Sequence, residues 1–148
     1  MNLNTSSAAV ENALAKWHRM IDAKDLGALP ALLHPDAVFR SPMAFKPYQS
    51  AQAVALILTT VFTVFSDFKY HREFISGDGL SAVLEFSASV GDRQLKGVDV
   101  IRFDGDGKIV DFEVMVRPFS GLQALGEEMG KRLGPMLAAY KTMQPNRT

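Results

Sequence analysis

The hydrophobic pattern of this chain changes its period near residue 67, and that change constrains the fold more than any other feature. Before this point, apolar residues recur at the spacing that is typical of amphipathic helices. After it, apolar and polar residues alternate, and short segments rich in Gly and Asp separate the alternating stretches. A chain with helices first and hairpin-connected strands afterwards predicts an α+β fold, in which helices cover one face of a sheet.

The first part of the chain predicts helices and one short strand. The helices are expected at about Ser6 to Asp22, Asp25 to Leu33 and Ser50 to Phe65. Pro30 removes a backbone donor from the second helix, so this helix is expected to be delayed or bent. The sequence His34-Pro35-Asp36 ends it, and Ala37 to Arg40 is predicted to form a strand that stops before Pro42.

The second part of the chain predicts a run of strands. They are expected at about Phe68 to Ser76, Leu80 to Val90, Gln94 to Asp104 and Lys108 to Arg117. Each connection between them has the length of a hairpin turn, so the predicted sheet is antiparallel.

A final helix is predicted from Ser120 to Lys141, after Pro118 has ended the last strand. Its apolar side holds Leu122, Leu125, Met129, Leu133, Met136, Leu137 and Tyr140. Because a detached helix of this kind would be marginal, we expect the apolar side to be buried against the rest of the chain or a second subunit. The polar tail from Gln144 is expected to be frayed.

The composition is that of an ordinary globular protein. Hydrophobic residues make up 47% and charged residues 22% of the 148 residues, which predicts a single domain over residues 1–148. Lys and Arg together number 16, as do Asp and Glu, and neither sign forms a block. We therefore expect no nucleic-acid partner and no binding to a membrane.

Metal, disulfide and export features are not expected either. The chain has no Cys and three His residues, so a metal site is not predicted. The polar start from Met1 to Ala9 does not resemble a signal peptide, and no apolar run reaches about 18 residues. These features predict a cytoplasmic protein.

One acidic residue interrupts the alternation of the predicted strands. In the third of the four, Asp99 is in phase with Leu95, Gly97, Ile101 and Phe103, which places a carboxyl group on an apolar face. A buried carboxyl group must be hydrogen-bonded, paired with a cation, or protonated with a raised pKa. Two interpretations remain open: a catalytic group in a cavity, or a structural Asp that is satisfied by an Arg or lies at an exposed edge.

The apolar phases of the strands and of the third helix predict one shared interior. It is expected to hold Leu58, Phe86, Phe103, Phe112, Val114 and Val116 as candidate ligand-binding residues. Trp17 is in phase with the apolar side of the first helix and either packs in the core or forms a cavity wall. Met43, Phe45 and Tyr48 lie in the loop between Pro42 and Pro47 or just after it, and form either a lid or surface cover.

Three segments carry a resemblance to a known group of proteins. They are AKWHRMIDAKDL (15–26), LHPDAVF (33–39) and GVDVIRFDGDGKI (97–109). They resemble the nuclear transport factor 2-like superfamily, and within it the branch of SnoaL-like polyketide cyclases and ketosteroid isomerases. The resemblance covers about residues 10–118.

What the resemblance implies is a cone-shaped, curved antiparallel sheet wrapped over three helices, a cystatin-like fold with the ligand cavity in its open end. The core would comprise about residues 6–118, and the helix at about residues 119–143 would be an addition that covers the open end. Such proteins are frequently dimers through the outer face of the sheet. A homodimer is expected here too, because that face keeps Val83, Val98 and Val100 among polar residues.

The resemblance also implies roles for individual residues. Asp99 matches the position at which the isomerases keep a neutral carboxylic acid that donates a hydrogen bond to an oxyanion. Ser41 stands before Pro42, where the isomerases carry their general-base Asp, and a Ser cannot abstract a carbon-bound proton unaided. Trp17 stands at the position of their oxyanion Tyr and offers an indole N–H instead of a hydroxyl group.

We therefore expect a domain that binds a small apolar molecule and acts as an isomerase, cyclase, dehydratase or hydrolase without a cofactor. Asp99 would be its general acid or base, in a cavity to which Trp17 and Ser41 also contribute. The alternative is a non-catalytic module for ligand binding or dimerisation, because the second carboxyl group of the isomerases is missing.

Overall fold

The structure, a computed structural model, describes residues 4–142, and the side chains of residues 8–136. Its helices are α1 (Asn4–Ala23), α2 (Ala51–Val64) and α3 (Phe119–Thr142). Its strands are β1 (Leu33–Arg40), β2 (Tyr48–Gln49), β3 (Ser66–Ile75), β4 (Ser81–Val90), β5 (Arg93–Phe103) and β6 (Ile109–Arg117). The tail predicted from Gln144 lies outside the described residues.

The strands form one sheet in the order β2-β1-β6-β5-β4-β3. From β3 to β6 each strand pairs antiparallel with the next, as the short predicted turns require, and these four strands form a meander. β1, however, pairs parallel with β6, so the prediction of a wholly antiparallel sheet needs a correction: the sheet is mixed. The parallel pair is possible because β2, α2 and the strands β3 to β5 lie between β1 and β6 in the chain and provide the long crossover that parallel strands need.

The predicted α+β architecture is confirmed, and α2 and the four strands of the meander begin and end within two residues of the predicted bounds. α2 begins where expected because the Ser50 hydroxyl accepts a hydrogen bond from the backbone N–H of Ala53, at 3.2 Å. On the inner face of β4 and β5 the alternating residues are buried, including Phe86, Asp99 and Phe103.

The prediction of a second helix from Asp25 to Leu33 is wrong in its length. Only a single 3-10 turn forms there, over Leu29–Leu32, with Pro30 near its start, where a missing N–H removes no helical bond. β1 already begins at Leu33 and runs through Pro35, because a register shift against β6 falls in this part of the strand and leaves the proline outside the regular ladder. The two-residue strand β2 was not predicted.

The predicted C-terminal helix is present as α3, which packs against α2 and against β4, β5 and β6. It buries Leu125 and Leu133, whose side chains are 4% and 1% exposed. Two residues of its predicted apolar side, Leu137 and Tyr140, have side chains outside the described range. None of the helices in the described part of the chain combines the length and hydrophobicity that crossing a bilayer requires.

The packing of α3 can be tested with Leu133→Ala. This change should lower the free energy of unfolding by about 2–5 kcal/mol, because it leaves a cavity under the helix. The matched control is Met136→Ala, which shortens a side chain that is 51% exposed on the same helix. It should change the free energy by less than about 0.5 kcal/mol. Urea unfolding measures both, and equal values would show that α3 is not packed as described.

Candidate functional site

An apolar cavity of about 190 Å³ lies between α2, α3 and the inner face of the sheet. Its aromatic lining consists of Phe39, Tyr48, Phe62, Phe65, Phe68 and Phe86. α3 contributes a wall of Leu125, Gly126, Met129 and Gly130. A larger surface groove of about 500 Å³ runs along α1, but it is more open to solvent, and its lining includes the charged residues Lys16, Arg19, Asp25, Asp106 and Lys108. The inner cavity is therefore the better candidate site for a small molecule.

Among the described residues that line the cavity, Asp99 carries the only carboxyl group. It lies on β5, inside the sheet between β4 and β6, and is 4% exposed. The Tyr70 hydroxyl on β3 donates a hydrogen bond to its Oδ2 atom at 2.6 Å. The Trp17 indole N–H in turn donates to the Tyr70 hydroxyl at 2.9 Å, so that a chain of hydrogen bonds runs from α1 through β3 to β5.

The surroundings of Asp99 change its acidity. Burial raises the pKa of this carboxyl from 3.8 to about 7, while the hydrogen bond from Tyr70 acts in the opposite direction. Burial and the neighbouring Asp99 charge raise the pKa of the Tyr70 hydroxyl well above 10, so Tyr70 keeps its proton and remains the donor. Near neutral pH, Asp99 is thus present in both its protonated and its ionised form.

The geometry does not agree with the interpretation that Asp99 is a structural residue that is satisfied by an Arg or lies at an exposed edge. The ion pairs between the described residues involve other acids, such as Glu85 with Arg72 and Asp111 with Arg40, and none involves Asp99. Nor does Asp99 lie at an edge, because β5 is paired on both sides. A neutral hydroxyl group satisfies one carboxyl oxygen, and the residue faces the cavity.

The structure brings together some of the predicted site residues and not others. Ser41, Leu58, Phe86 and Val114 line the cavity with Asp99. Four do not line it: Trp17, Phe103, Phe112 and Val116. Trp17, which is 1% exposed, packs against the rings of Phe62 and Phe112 and reaches Asp99 only through Tyr70. The strand phase predicts which face a residue occupies, but not its position along the cavity.

Sequence reasoning missed Tyr70, the direct partner of Asp99. The available signal was its spacing of two residues from Phe68, which places both aromatic rings on one face of β3. Two register shifts against β4 interrupt that strand, so its alternation is weak in the sequence. Of the loop residues, Met43 and Tyr48 line the cavity, whereas Phe45 does not and is fully exposed, at 100%.

The histidines lie away from the cavity. His18 pairs with Glu73 at 2.8 Å, and His71 lies 2.7 Å from the Ser87 hydroxyl. His34 accepts a hydrogen bond from the backbone N–H of Asp36 through its Nδ1 atom. Within residues 8–136, no group of three His, Asp or Glu side chains is close enough together to hold a metal ion.

Comparison with known proteins shows clear relatives. The profile of the SnoaL-like domain matches residues 14–112. A crystal structure from Pseudomonas aeruginosa, described as a steroid delta-isomerase, is 67% identical, with a TM-score of 0.85, and the match covers 88% of this chain and 96% of that one. A Silicibacter pomeroyi protein described as having a cystatin-like fold is 32% identical, with a TM-score of 0.79, over 88% and 92% of the two chains. No curated protein matches.

A more distant structure agrees on the fold. An NTF2-like protein of unknown function from Mesorhizobium loti is 20% identical, with a TM-score of 0.66, over 76% of this chain and 93% of that one. Together with the cystatin-like fold of the Silicibacter protein, this similarity confirms the predicted fold class.

The raised pKa of Asp99 predicts a pH-dependent stability. Between pH 3.8 and about 7 the native state binds more protons than the unfolded state, so the free energy of unfolding falls as pH rises through this window. Over the whole window, the free energy of unfolding changes by roughly 4 kcal/mol through this one group. Asp99→Asn can still accept the Tyr70 hydrogen bond but does not titrate. The variant should therefore match the wild type at about pH 4 and be more stable at about pH 8.

Urea unfolding of both proteins at several pH values measures this effect. Asp92→Asn, which removes a carboxyl group with a 96% exposed side chain, is the control. A difference between wild type and Asp99→Asn that does not grow with pH would contradict the buried, proton-binding carboxyl group.

Proposed function

The chain belongs to the SnoaL-like domain family, and from this premise we propose that it is an enzyme that isomerises a small apolar molecule through acid–base chemistry at Asp99. The proposal assigns it no cofactor. The observation that carries it is one titratable carboxyl group, with a pKa of about 7, at the wall of an otherwise apolar cavity. A group with a pKa near the ambient pH is effective both at taking up a proton and at returning it.

Isomerisation by a single carboxyl group balances without a co-reactant. The Asp99 carboxylate removes a proton from the carbon next to a carbonyl group, and the electrons of the broken C–H bond form an enolate. The resulting carboxylic acid then gives the same proton to a carbon further along the conjugated system. The double bond has moved, the product has the atoms of the substrate, and Asp99 is again a carboxylate.

Neighbouring groups support this role. Tyr70 holds the Oδ2 atom of Asp99 at 2.6 Å and so fixes the orientation of the carboxyl group. The N–H of Trp17 occupies a lone pair of the Tyr70 oxygen, so the phenolic proton points to Asp99. The Ser41 hydroxyl accepts a bond from the backbone N–H of Met43 at 3.0 Å and retains its own proton, which it can donate to the carbonyl oxygen of a ligand.

The relatives support the type of substrate. The 67% identical Pseudomonas aeruginosa protein is described as a steroid delta-isomerase. A steroid ketone has the apolar body that the aromatic lining favours and one carbonyl oxygen for Ser41 or Asp99. We propose a substrate of this kind, a rigid apolar ketone with a double bond that moves into conjugation.

The proposal predicts a pH profile for catalysis. If ionised Asp99 is the base, kcat/KM for a steroid ketone with an unconjugated double bond rises with pH through about 7. Asp99→Asn should lower kcat/KM by about 100-fold or more, since it cannot take up the proton. Tyr70→Phe removes the hydrogen bond that holds the pKa of Asp99 down, so the midpoint of the profile should move to higher pH.

The appearance of ultraviolet absorption from the conjugated ketone measures these rates. Asp111→Asn, which breaks the ion pair with Arg40 away from the cavity, is the control and should keep the wild-type profile. Turnover by Asp99→Asn at the wild-type rate would contradict the proposal.

The alternative function, a ligand-binding module without catalysis, is favoured by one observation. Ser41 occupies the position before Pro42, so that a second carboxyl group is not found in the cavity lining. If this function is correct, a ketone should bind wild type and Asp99→Asn equally well, and neither protein should convert it.

We also propose that the protein is a homodimer formed through the outer face of the sheet. On this face Val83, Val98 and Val100 are half-buried, and Met115 is 51% exposed. Two acids on this face are paired, Glu85 with Arg72 at 2.7 Å and Lys96 at 3.4 Å, and Asp111 with Arg40 at 3.0 Å, while Glu113 lies opposite Val100 on β6. A partly apolar surface on which two of the three acids are already paired is suited to pack against a copy of itself.

Met115→Glu tests this dimer. Two-fold symmetry would bring the new carboxylates of both subunits into one interface, so the mass in solution should fall from that of two chains to that of one. Met136→Glu places the same charge on α3, outside this face, and should leave the mass unchanged. Light scattering at micromolar concentration measures it, and a monomeric wild type would rule the dimer out.

A further inference from the structure

The exposure of the cavity lining shows where the cavity opens. Most lining residues are buried or half-buried, and Asp99 at 4% is among the deepest. Of the lining residues within the described side chains, 8–136, only two are exposed, Met43 on the β1–β2 loop and Gly130 on α3. A ligand that reaches Asp99 from solvent therefore passes between this loop and α3.

Two glycines of α3 at this opening, Gly126 and Gly130, differ in what lies next to them. Gly126 leaves a notch in α3 that the end of Met43 occupies, since a Cβ atom added there would lie 2.9 Å from Sδ and 2.5 Å from Cε of Met43. One turn further along, a Cβ atom added at Gly130 would meet nothing within 4 Å. The α3 side of the opening is thus closed at Gly126 and open at Gly130.

We propose that the cavity is entered between Met43 and α3, and that Gly130, by lacking a side chain, sets the size of the apolar ligand that can pass. The inference deepens the proposed function and rests on it in one respect, namely that ligands enter this cavity. A glycine inside a helix lowers helix propensity, so a larger residue at this position would favour the helix while it narrowed the entrance.

The entrance selects by size, so its test uses hydrocarbons of different size that carry no oxygen. Naphthalene has two fused rings and pyrene has four, and neither can react with or hydrogen-bond to Asp99. Their binding tests the entrance even if Asp99 performs no chemistry. Failure of the proposed function would instead appear as a lack of ketone turnover while the hydrocarbons still bind.

The variant is Gly130→Leu, which places a branched side chain at the rim. Stopped-flow fluorescence of the purified full chain measures association and dissociation of each hydrocarbon. We expect the association rate constant of pyrene to fall about tenfold or more and that of naphthalene to change less than about twofold. Because an entrance affects passage in both directions, the dissociation of pyrene should slow as well.

Gly134→Leu is the matched control. It adds the same side chain one turn further along α3, where an added Cβ also meets nothing within 4 Å but the residue does not line this cavity. It should leave the rates of both hydrocarbons unchanged. Thermal unfolding of Gly130→Leu should show no loss of stability, which separates a narrowed entrance from a damaged core.

Four results would overturn the inference. They are wild-type pyrene kinetics in Gly130→Leu, an equal slowing of naphthalene and pyrene, the same slowing in Gly134→Leu, and a wild type that binds neither hydrocarbon. The last result would mean that no apolar ligand enters between Met43 and α3.

Discussion

Burial of one carboxyl group among aromatic side chains is the constraint on which this structure depends. An ionised Asp in such a place is unfavourable, and no cation among the described side chains pairs with it to compensate. Instead, the hydroxyl of Tyr70 and, behind it, the indole of Trp17 hold the group in place. The same three residues connect α1, β3 and β5, so the interaction that adjusts the acidity of Asp99 also joins the helix to the sheet. Structure and reactivity are therefore hard to change separately at this site.

Features of the fold and the site that depend on neighbouring residues could be predicted from the sequence, whereas those that depend on residues distant in the chain could not. The alternation of β5 alone located Asp99 on the inner face, because neighbouring residues in one strand determine the phase. The parallel pairing of β1 with β6 involves residues such as Phe39 and Phe112, which are distant in sequence, and no local pattern encodes it. The role of Tyr70 could not be predicted for a similar reason, since the register shifts of β3 are set by its pairing with β4.

The lining of the cavity could not be predicted from local sequence patterns either. Phe86 and Phe103 are both aromatic, both buried and both on the inner face, yet only Phe86 lines the cavity. What separates them is their packing: Phe86 packs in the cluster that includes Leu125 of α3, whereas Phe103 packs in the cluster that includes Trp17 of α1. Sequence periodicity describes the direction of a side chain; the volume left between packed elements is a property of the assembled fold.

The parallel edge formed by β1 and β6 has a consequence for the order in which the chain assembles. The hairpins from β3 to β6 join neighbours in sequence and can form early, whereas β1 must wait for the last strand before it gains its main partner. During synthesis on the ribosome, β1 is made long before β6 emerges, and in that interval its apolar residues lack their final cover. Until β6 is made, the elements that already precede it, such as β2 and α2, must cover the apolar residues of β1.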